Sequence, residues 1–258
     1  MVTARTAGID LSGRVALVTG GSRGIGRGIA LKLAGHGASV ALTYLRNRRA
    51  AEETADALAG RGVQAAVFRA NLTDPEHVER LVEGVQDRFG WIDLLVSNAA
   101  SGVMQPVGDF TLKHWRWTME SNAWPLLALA QRALPTLEER GGRLIAISSL
   151  GAVRAVSNYS LVGASKGALE SLARHLALEL GPRGIRVNVV SASAVDTDAL
   201  RHFPNREEIL AGYREKSPLH RLVTPEDVAN AVLFLCSPFA DAIHGQTIVV
   251  DGGYSIVG

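Results

Sequence analysis

A tyrosine and a lysine, Tyr159 and Lys166, stand seven residues apart in a stretch with helical spacing. Seven residues are just under two turns of helix, so the phenol and the ammonium share one face. A phenol can donate a proton, and an ammonium can stabilise charge next to it. Ser149, ten residues before the tyrosine, adds a hydroxyl. Far upstream the chain reads Thr19-Gly20-Gly21-Ser22-Arg23-Gly24-Ile25-Gly26, after a short apolar run and before a helical pattern. Glycines there permit a tight turn and a close approach of backbone to ligand. The helix start adds free N–H groups and a positive dipole end, which suit a pyrophosphate.

Which dinucleotide such a turn takes is decided at the end of the second strand. An acidic residue there holds ribose hydroxyls. This chain has Thr43-Tyr44-Leu45-Arg46-Asn47 instead. Nothing there repels a 2′-phosphate, and Arg46 or Arg23 can pair with one bidentately. The plainer reading is that Arg46 joins Arg48 and Arg49 in a solvated basic run.

The elements that must position these groups alternate from end to end. Apolar, β-branched runs lie at 15–19, 39–44, 64–69, 92–97, 143–148, 186–191 and 247–250. Helical patterns lie between them at 24–36, 48–60, 75–89, 111–139, 159–180 and 225–236. Strands that are apolar on consecutive positions suit a sheet buried on both faces. The spacing predicts one α/β domain over 1–258, a Rossmann-like, doubly wound, parallel seven-stranded sheet with helices on both faces. Residues 1–13 read as an N-terminal extension. Only 192–222 breaks the rhythm, and a long segment at the C-terminal strand ends reads as a substrate lid. Within it, Leu200, Phe203 and Leu210 are candidate acyl contacts.

Composition excludes several classes. With 27 Lys+Arg against 25 Asp+Glu, the chain lacks the basic excess of a nucleic-acid binder. No apolar run approaches a membrane span, and the first residues lack a signal-peptide core. The single cysteine, Cys236, forms no intrachain disulfide, which fits a cytoplasmic location. The seven histidines show no metal-ligand spacing.

The Gly-x-x-x-Gly-x-Gly turn resembles that of the short-chain dehydrogenase/reductase family, and the resemblance covers nearly the whole chain. It implies an NADP(H) site at Gly20, Ser22, Arg23, Gly24, Ile25, Gly26, Arg46, Asn47, Asn71, Leu72, Asn98, Ala99, Ala100, Lys166, Val195 and Thr197. Asn71-Leu72 would flank the adenine. Asn98-Ala99-Ala100 would support the cofactor and the central sheet. Val195 would meet the nicotinamide amide through its backbone, and Thr197 the pyrophosphate. Asn122 matches a helix asparagine that holds a water on the proton path to the lysine; a local backbone partner is its plainer role.

Most of that family carries Tyr-x-x-x-Lys, but Val162 stands at that place here. The Tyr-x6-Lys spacing, with the run 148–159, resembles enoyl-acyl carrier protein reductases, closest to the NADPH-dependent III type. Asn98–Val103, His114–Met119 and Val195–Arg206 resemble that type too. The best-known bacterial enoyl reductase has a second tyrosine where Ser149 stands; the III type has serine. The donor has moved about 4.5 Å along the helix. An enoyl thioester takes hydride at Cβ and gathers charge on the thioester oxygen, further along the substrate. Tyr159 displaced in that direction would meet the enolate, with Ser149 as a second donor. Lys166 would hold the nicotinamide ribose and lower the tyrosine pKa.

The resemblance thus implies a catalytic set of Tyr159, Lys166, Ser149 and Asn122, with no metal. The substrate is an acyl thioester, on acyl carrier protein or CoA, and the assembly a homotetramer. Arg201, Arg206, Arg214, Lys216 and Arg221 would attract an acidic carrier, or are a solvated face. The alternatives are a ketoreductase or quinone reductase using Tyr159, and a non-catalytic NADP-binding regulatory protein.

Overall fold

A computed structural model describes residues 8–197 and 206–257. Its strands are β1 (Val15–Val18), β2 (Ser39–Tyr44), β3 (Ala65–Arg69), β4 (Leu94–Ser97), β5 (Arg143–Ser149), β6 (Arg186–Ala192) and β7 (Thr247–Val250). All pair parallel, in the order β3-β2-β1-β4-β5-β6-β7. The order reverses between β1 and β4, and a crevice opens beyond the strand ends at such a switch point.

The helices are α1 (Gly24–Ala34), α2 (Arg48–Ala59), α3 (Pro75–Phe89), α4 (Leu112–Asn122), α5 (Trp124–Arg140), α6 (Ser160–Leu180), α7 (Arg206–Lys216) and α8 (Pro225–Cys236). They bury two cores, one on each face of the sheet. Ala16 and Val18 of β1 join Ile29, Leu33 and Val228 in one. Val15 and Leu17 join Leu81, Leu129 and Leu176 in the other. Side chains alternate across a strand, so a strand covered on both faces must be apolar at every position.

The structure departs from the sequence expectations in four places. The pattern over 111–139 is two helices, broken at Ala123. Pro125, in the first turn of α5, has no N–H to give the turn before it, and its ring clashes with that turn's carbonyl. The fourth strand begins at Leu94 rather than 92, and Asp93 before it bonds Arg14 and Arg140 through its carboxylate. Tyr159 is not inside α6 but is its N-cap residue, with φ −109° and ψ 9°. The segment 192–222 holds α7 and a parallel bridge between Val195 and Val223. Leu210 of α7 is buried. Leu200, Phe203, Arg201 and most of the N-terminal extension lie outside the described residues.

Candidate active site

The glycine turn lies between β1 and α1 and is fastened from both sides. Gly20 donates its N–H to Thr43 Oγ1 at 3.0 Å. Asn98 Nδ2 donates to Thr19 O at 2.8 Å, and the Asn98 and Ala99 N–H groups donate to Thr19 Oγ1. Gly26 is required by space: a Cβ there would stand 2.3 Å from Gly20 O. Thr197 lies over Gly24, so the structure brings 197 to the turn. Ser22 is half-buried, and its carbonyl accepts from Thr54 Oγ1. Ile25 packs against the core.

Helices α2, α3, α4 and α8 begin with side-chain caps from Asn47, Asp74, Thr111 and Thr224. Helix α1 has no side-chain cap and no acidic residue in its first turn. Its N–H groups and dipole end suit a pyrophosphate, so the turn fits a dinucleotide cofactor.

At the end of β2, Arg48 pairs with Glu52 and Arg49 with Glu53, each one helical turn on. Arg46 is exposed and makes no ion pair among the described residues. Two of the three arginines in the basic run are therefore matched, and the one at the strand end is not. Asn47 beside it is exposed, and its Oδ1 accepts from Ala50 N–H and caps α2. Asn71 stands at the end of β3, where its N–H donates to His77 Nδ1. Leu72 is buried in the core with Leu17 and Val78, because the chain turns inward there to start α3.

At the end of β5, Ser149 Oγ lies 3.2 Å from Tyr159 Oη. The short turn Leu150–Ala152 and the loop after it return the chain to α6. Tyr159 fits only because residue 151 is glycine, since a Cβ there would be 2.4 Å from ring Cε1. Lys166 is buried and donates to Ile147 O at 2.7 Å. Burial pulls its pKa down to about 8, against an opposing pull from Glu170. The expectation that Lys166 lowers the tyrosine pKa does not hold in this structure. Burial raises the Tyr159 phenol above its ordinary value, and only Ser149 opposes it. The Lys166 ammonium is engaged with the β5 carbonyl instead.

Asn122 is buried at the end of α4. Its Nδ2 donates to Ser165 Oγ at 2.8 Å, and its Oδ1 accepts from Ser101 N–H at 2.8 Å. The amide thus ties α4, the segment after β4 and the residue before Lys166 together. Ala99 is half-buried beside the glycine turn and Ala100 is exposed. Val195 is buried at its bridge to Val223.

A family profile for enoyl-(acyl carrier protein) reductase matches residues 20–255. This chain belongs to the short-chain dehydrogenase/reductase family. The reductase is 38% identical over 246 residues to a 1-cyclohexenylcarbonyl-CoA reductase of Streptomyces collinus, covering 95% of this chain and 88% of that one. It is 37% identical over 249 residues to a hydroxynaphthalene reductase of Aspergillus fumigatus, covering 92% and 91%. Among solved structures, a short-chain dehydrogenase of Burkholderia cenocepacia in complex with NADP is 35% identical, with a TM-score of 0.88 and coverage of 95% and 99%. The chain is an oxidoreductase of this family.

The reductase has features at this site that spacing did not expose. A cavity of about 290 Å³ is lined by Leu150, Arg154, Ala155, Val156, Tyr213 and Tyr254. It lies against the loop joining Ser149 to Tyr159. Tyr213 of α7 and Tyr254 near the C-terminus stack with ring centroids 4.3 Å apart. Arg154 donates to Ser255 O and fastens the C-terminal turn to that loop. The two tyrosines are 41 residues apart, so no local pattern joins them. A second missed feature is the buried pair Ser148 and Glu170, with Ser148 Oγ donating to Glu170 Oε1 at 2.6 Å. A charged residue on the buried stripe of α6, one turn past Lys166, was the available signal.

Val162 sits where the common tyrosine would stand. It is buried, and a Cβ on Gly102 would come within 2.4 Å of its Cγ2. No described helix is long and apolar enough to cross a membrane. No group of three metal-ligating side chains occurs among the described residues.

Proposed function

We propose that this reductase uses NADPH to reduce the carbon–carbon double bond of an enoyl thioester. The observation that carries this reading is the hydroxyl pair Tyr159–Ser149, with the donor seven residues before the lysine and Val162 packed in the usual place. The bound nicotinamide supplies a hydride to the substrate. The chain's own task is to hold the thioester and receive the charge it develops. Tyr159 Oη and Ser149 Oγ are close enough to donate together to one thioester oxygen. A donor aimed at the oxygen that gains charge stabilises the transition state more than the ground state. Lys166 holds the ribose, with its ammonium steadied on Ile147 O. Asn122 fixes the turn of α6 that carries the lysine. The cavity of about 290 Å³ beside the loop from Ser149 to Tyr159, lined by Leu150, Val156 and the stacked tyrosines, would take a compact acyl chain or ring.

Preference for NADPH over NADH is supported by Arg46, the unmatched cation at the end of β2. The carrier of the thioester is acyl carrier protein or CoA. Of the five cations considered for an acidic carrier, Arg206 pairs with Asp196 and Arg221 with Asp227. Arg214 and Lys216 remain exposed on α7. The second reading is reduction of a ketone or quinone, which the identity to the hydroxynaphthalene reductase favours. Loss of NADPH absorbance with crotonyl-CoA and, separately, with acetoacetyl-CoA decides between them. Turnover of crotonyl-CoA alone supports the first reading, and turnover of acetoacetyl-CoA alone overturns it.

A further inference from the structure

Glu170 is a carboxylate with 6% of its surface exposed, and neither the cofactor site nor the proton donor uses it. Burying a charge costs free energy unless something answers it. Its hydrogen-bond partner is the neutral Ser148 hydroxyl, at 2.6 Å. The cation one helical turn before it on α6 is Lys166, itself buried. The two side chains dock on consecutive residues of β5, Lys166 on Ile147 O and Glu170 on Ser148 Oγ. The lysine is thus fixed by the strand at one turn, and the carboxylate by the same strand at the next.

Other charged groups on the elements packed around them are placed elsewhere. On α4, Lys113, Arg116 and Glu120 are exposed, and His114 bonds Gln105 and Thr111. On β5 and β6, Arg143 and Arg186 lie at the opposite strand ends and both bond Asp241. On α5, Arg132 pairs with Glu79 and Glu138 with Arg183. At the N-cap of α6 Tyr159 meets Ser149, while Arg174, His175 and Glu179 on the helix are exposed. Among the described residues, Glu170 is the charge that opposes the effect of burial on Lys166.

We infer that Glu170 is a positioning residue whose buried negative charge, anchored by Ser148, keeps Lys166 in its ammonium form for the cofactor. Desolvation alone favours a neutral lysine. A neutral amine neither donates three hydrogen bonds nor stabilises a negative oxygen. The carboxylate holds the proton on Lys166 over the range where the enzyme must bind cofactor, without touching cofactor or substrate. The inference rests on Lys166 serving the cofactor site proposed above, but not on the identity of the substrate.

The test is the pH dependence of NADPH affinity, read by fluorescence titration of the full chain, with folding checked by circular dichroism. Glu170→Gln keeps the shape and the bond to Ser148 and removes the charge. Lys166 then gives up its proton at lower pH, so affinity must fall earlier as pH rises. We expect near wild-type affinity at about pH 6 and a loss of about fivefold or more relative to wild type near pH 8, as for a shift of one pKa unit or more. Ser148→Ala alone keeps the charge and should leave the pH at which affinity falls close to wild type. Should Glu170→Gln fail to fold, Glu170→Leu with Ser148→Ala removes both polar partners together, which a buried site tolerates better. That double variant should show the same early loss. A neutral variant that folds and tracks the wild-type pH dependence overturns the inference. Because the readout is cofactor binding, the inference can hold even if crotonyl-CoA proves not to be a substrate, and it can fail while crotonyl-CoA is reduced.

Discussion

Gly151→Ala tests the placement of the proposed donor without removing any functional group. A Cβ at 151 would lie 2.4 Å from Cε1 and 2.6 Å from Cδ1 of Tyr159. Carbon atoms in contact need about 3.5 Å, so the ring must retreat by about 1 Å. The Tyr159–Ser149 contact is already 3.2 Å, and that retreat carries it out of hydrogen-bond range. A reacting group misplaced by about 1 Å costs on the order of 10²-fold in rate. We expect kcat for the enoyl thioester to fall by about that factor, with the NADPH Kd unchanged, since the glycine turn is untouched. Gly167→Ala is the control. Its Cβ would meet only Ala152 O, at an ordinary 3.4 Å. Replacing a helix-interior glycine should stabilise by about 0.5–1 kcal/mol, and turnover should stay near wild type. Steady-state kinetics and thermal unfolding of both variants check this. Wild-type turnover by Gly151→Ala would refute the argument, because the donor would then not depend on where the ring lies.

Three further outcomes are expected. Arg46→Asp replaces attraction to a 2′-phosphate with repulsion, so it should raise the KM for NADPH by about tenfold or more and barely change that for NADH, as a charge-assisted phosphate contact implies; equal changes for both cofactors would contradict it. Asp93→Ala removes a fully buried carboxylate that accepts from Arg14, Arg140 and the Val15 N–H; urea unfolding should show a loss of about 3 kcal/mol, and a loss under about 1 kcal/mol would mean the two half-exposed arginines are not held by it. The edge strand β7, with Val249 47% exposed beside a groove of about 420 Å³ and Ile256 in the turn after it 83% exposed, should be covered by another copy of the chain; light scattering should give a homotetramer, and a stable monomer at micromolar concentration would exclude it.

Much of the fold was legible because its main constraint is local. A strand covered on both faces must be apolar at each position, and VALV in β1 and LLVS in β4 announce that without tertiary information. The glycine turn was legible for the same reason, as its order in sequence is its order in space. Legibility ended where long-range packing decides. Nothing near Leu72 marks its side chain as packed with Leu17 and Val78, since contacts far apart in sequence decide that. Periodicity ran through Ala123, and the proline two residues on outweighed it. Tyr159 was legible as a partner of Lys166, but its position as N-cap, and the raised phenol pKa that follows from burial, depend on how Gly151 and Ser149 close around it. Tyr213 and Tyr254 meet only after α7 and the C-terminal turn fold over the loop that carries Arg154.

The account's central claim is that Tyr159 donates to the oxygen of an enoyl thioester, and Tyr159→Phe tests it most directly. The substitution removes one hydroxyl and leaves the ring against Gly151, so fold and NADPH affinity should persist. Turnover of crotonyl-CoA should fall by about 10²-fold or more, the size expected for loss of one acid or one oxyanion donor. Turnover of acetoacetyl-CoA should be negligible in the wild type and in the variant. Near wild-type reduction of crotonyl-CoA by Tyr159→Phe, with NADPH still bound, would contradict the claim and move the donor to Ser149 or a bound water.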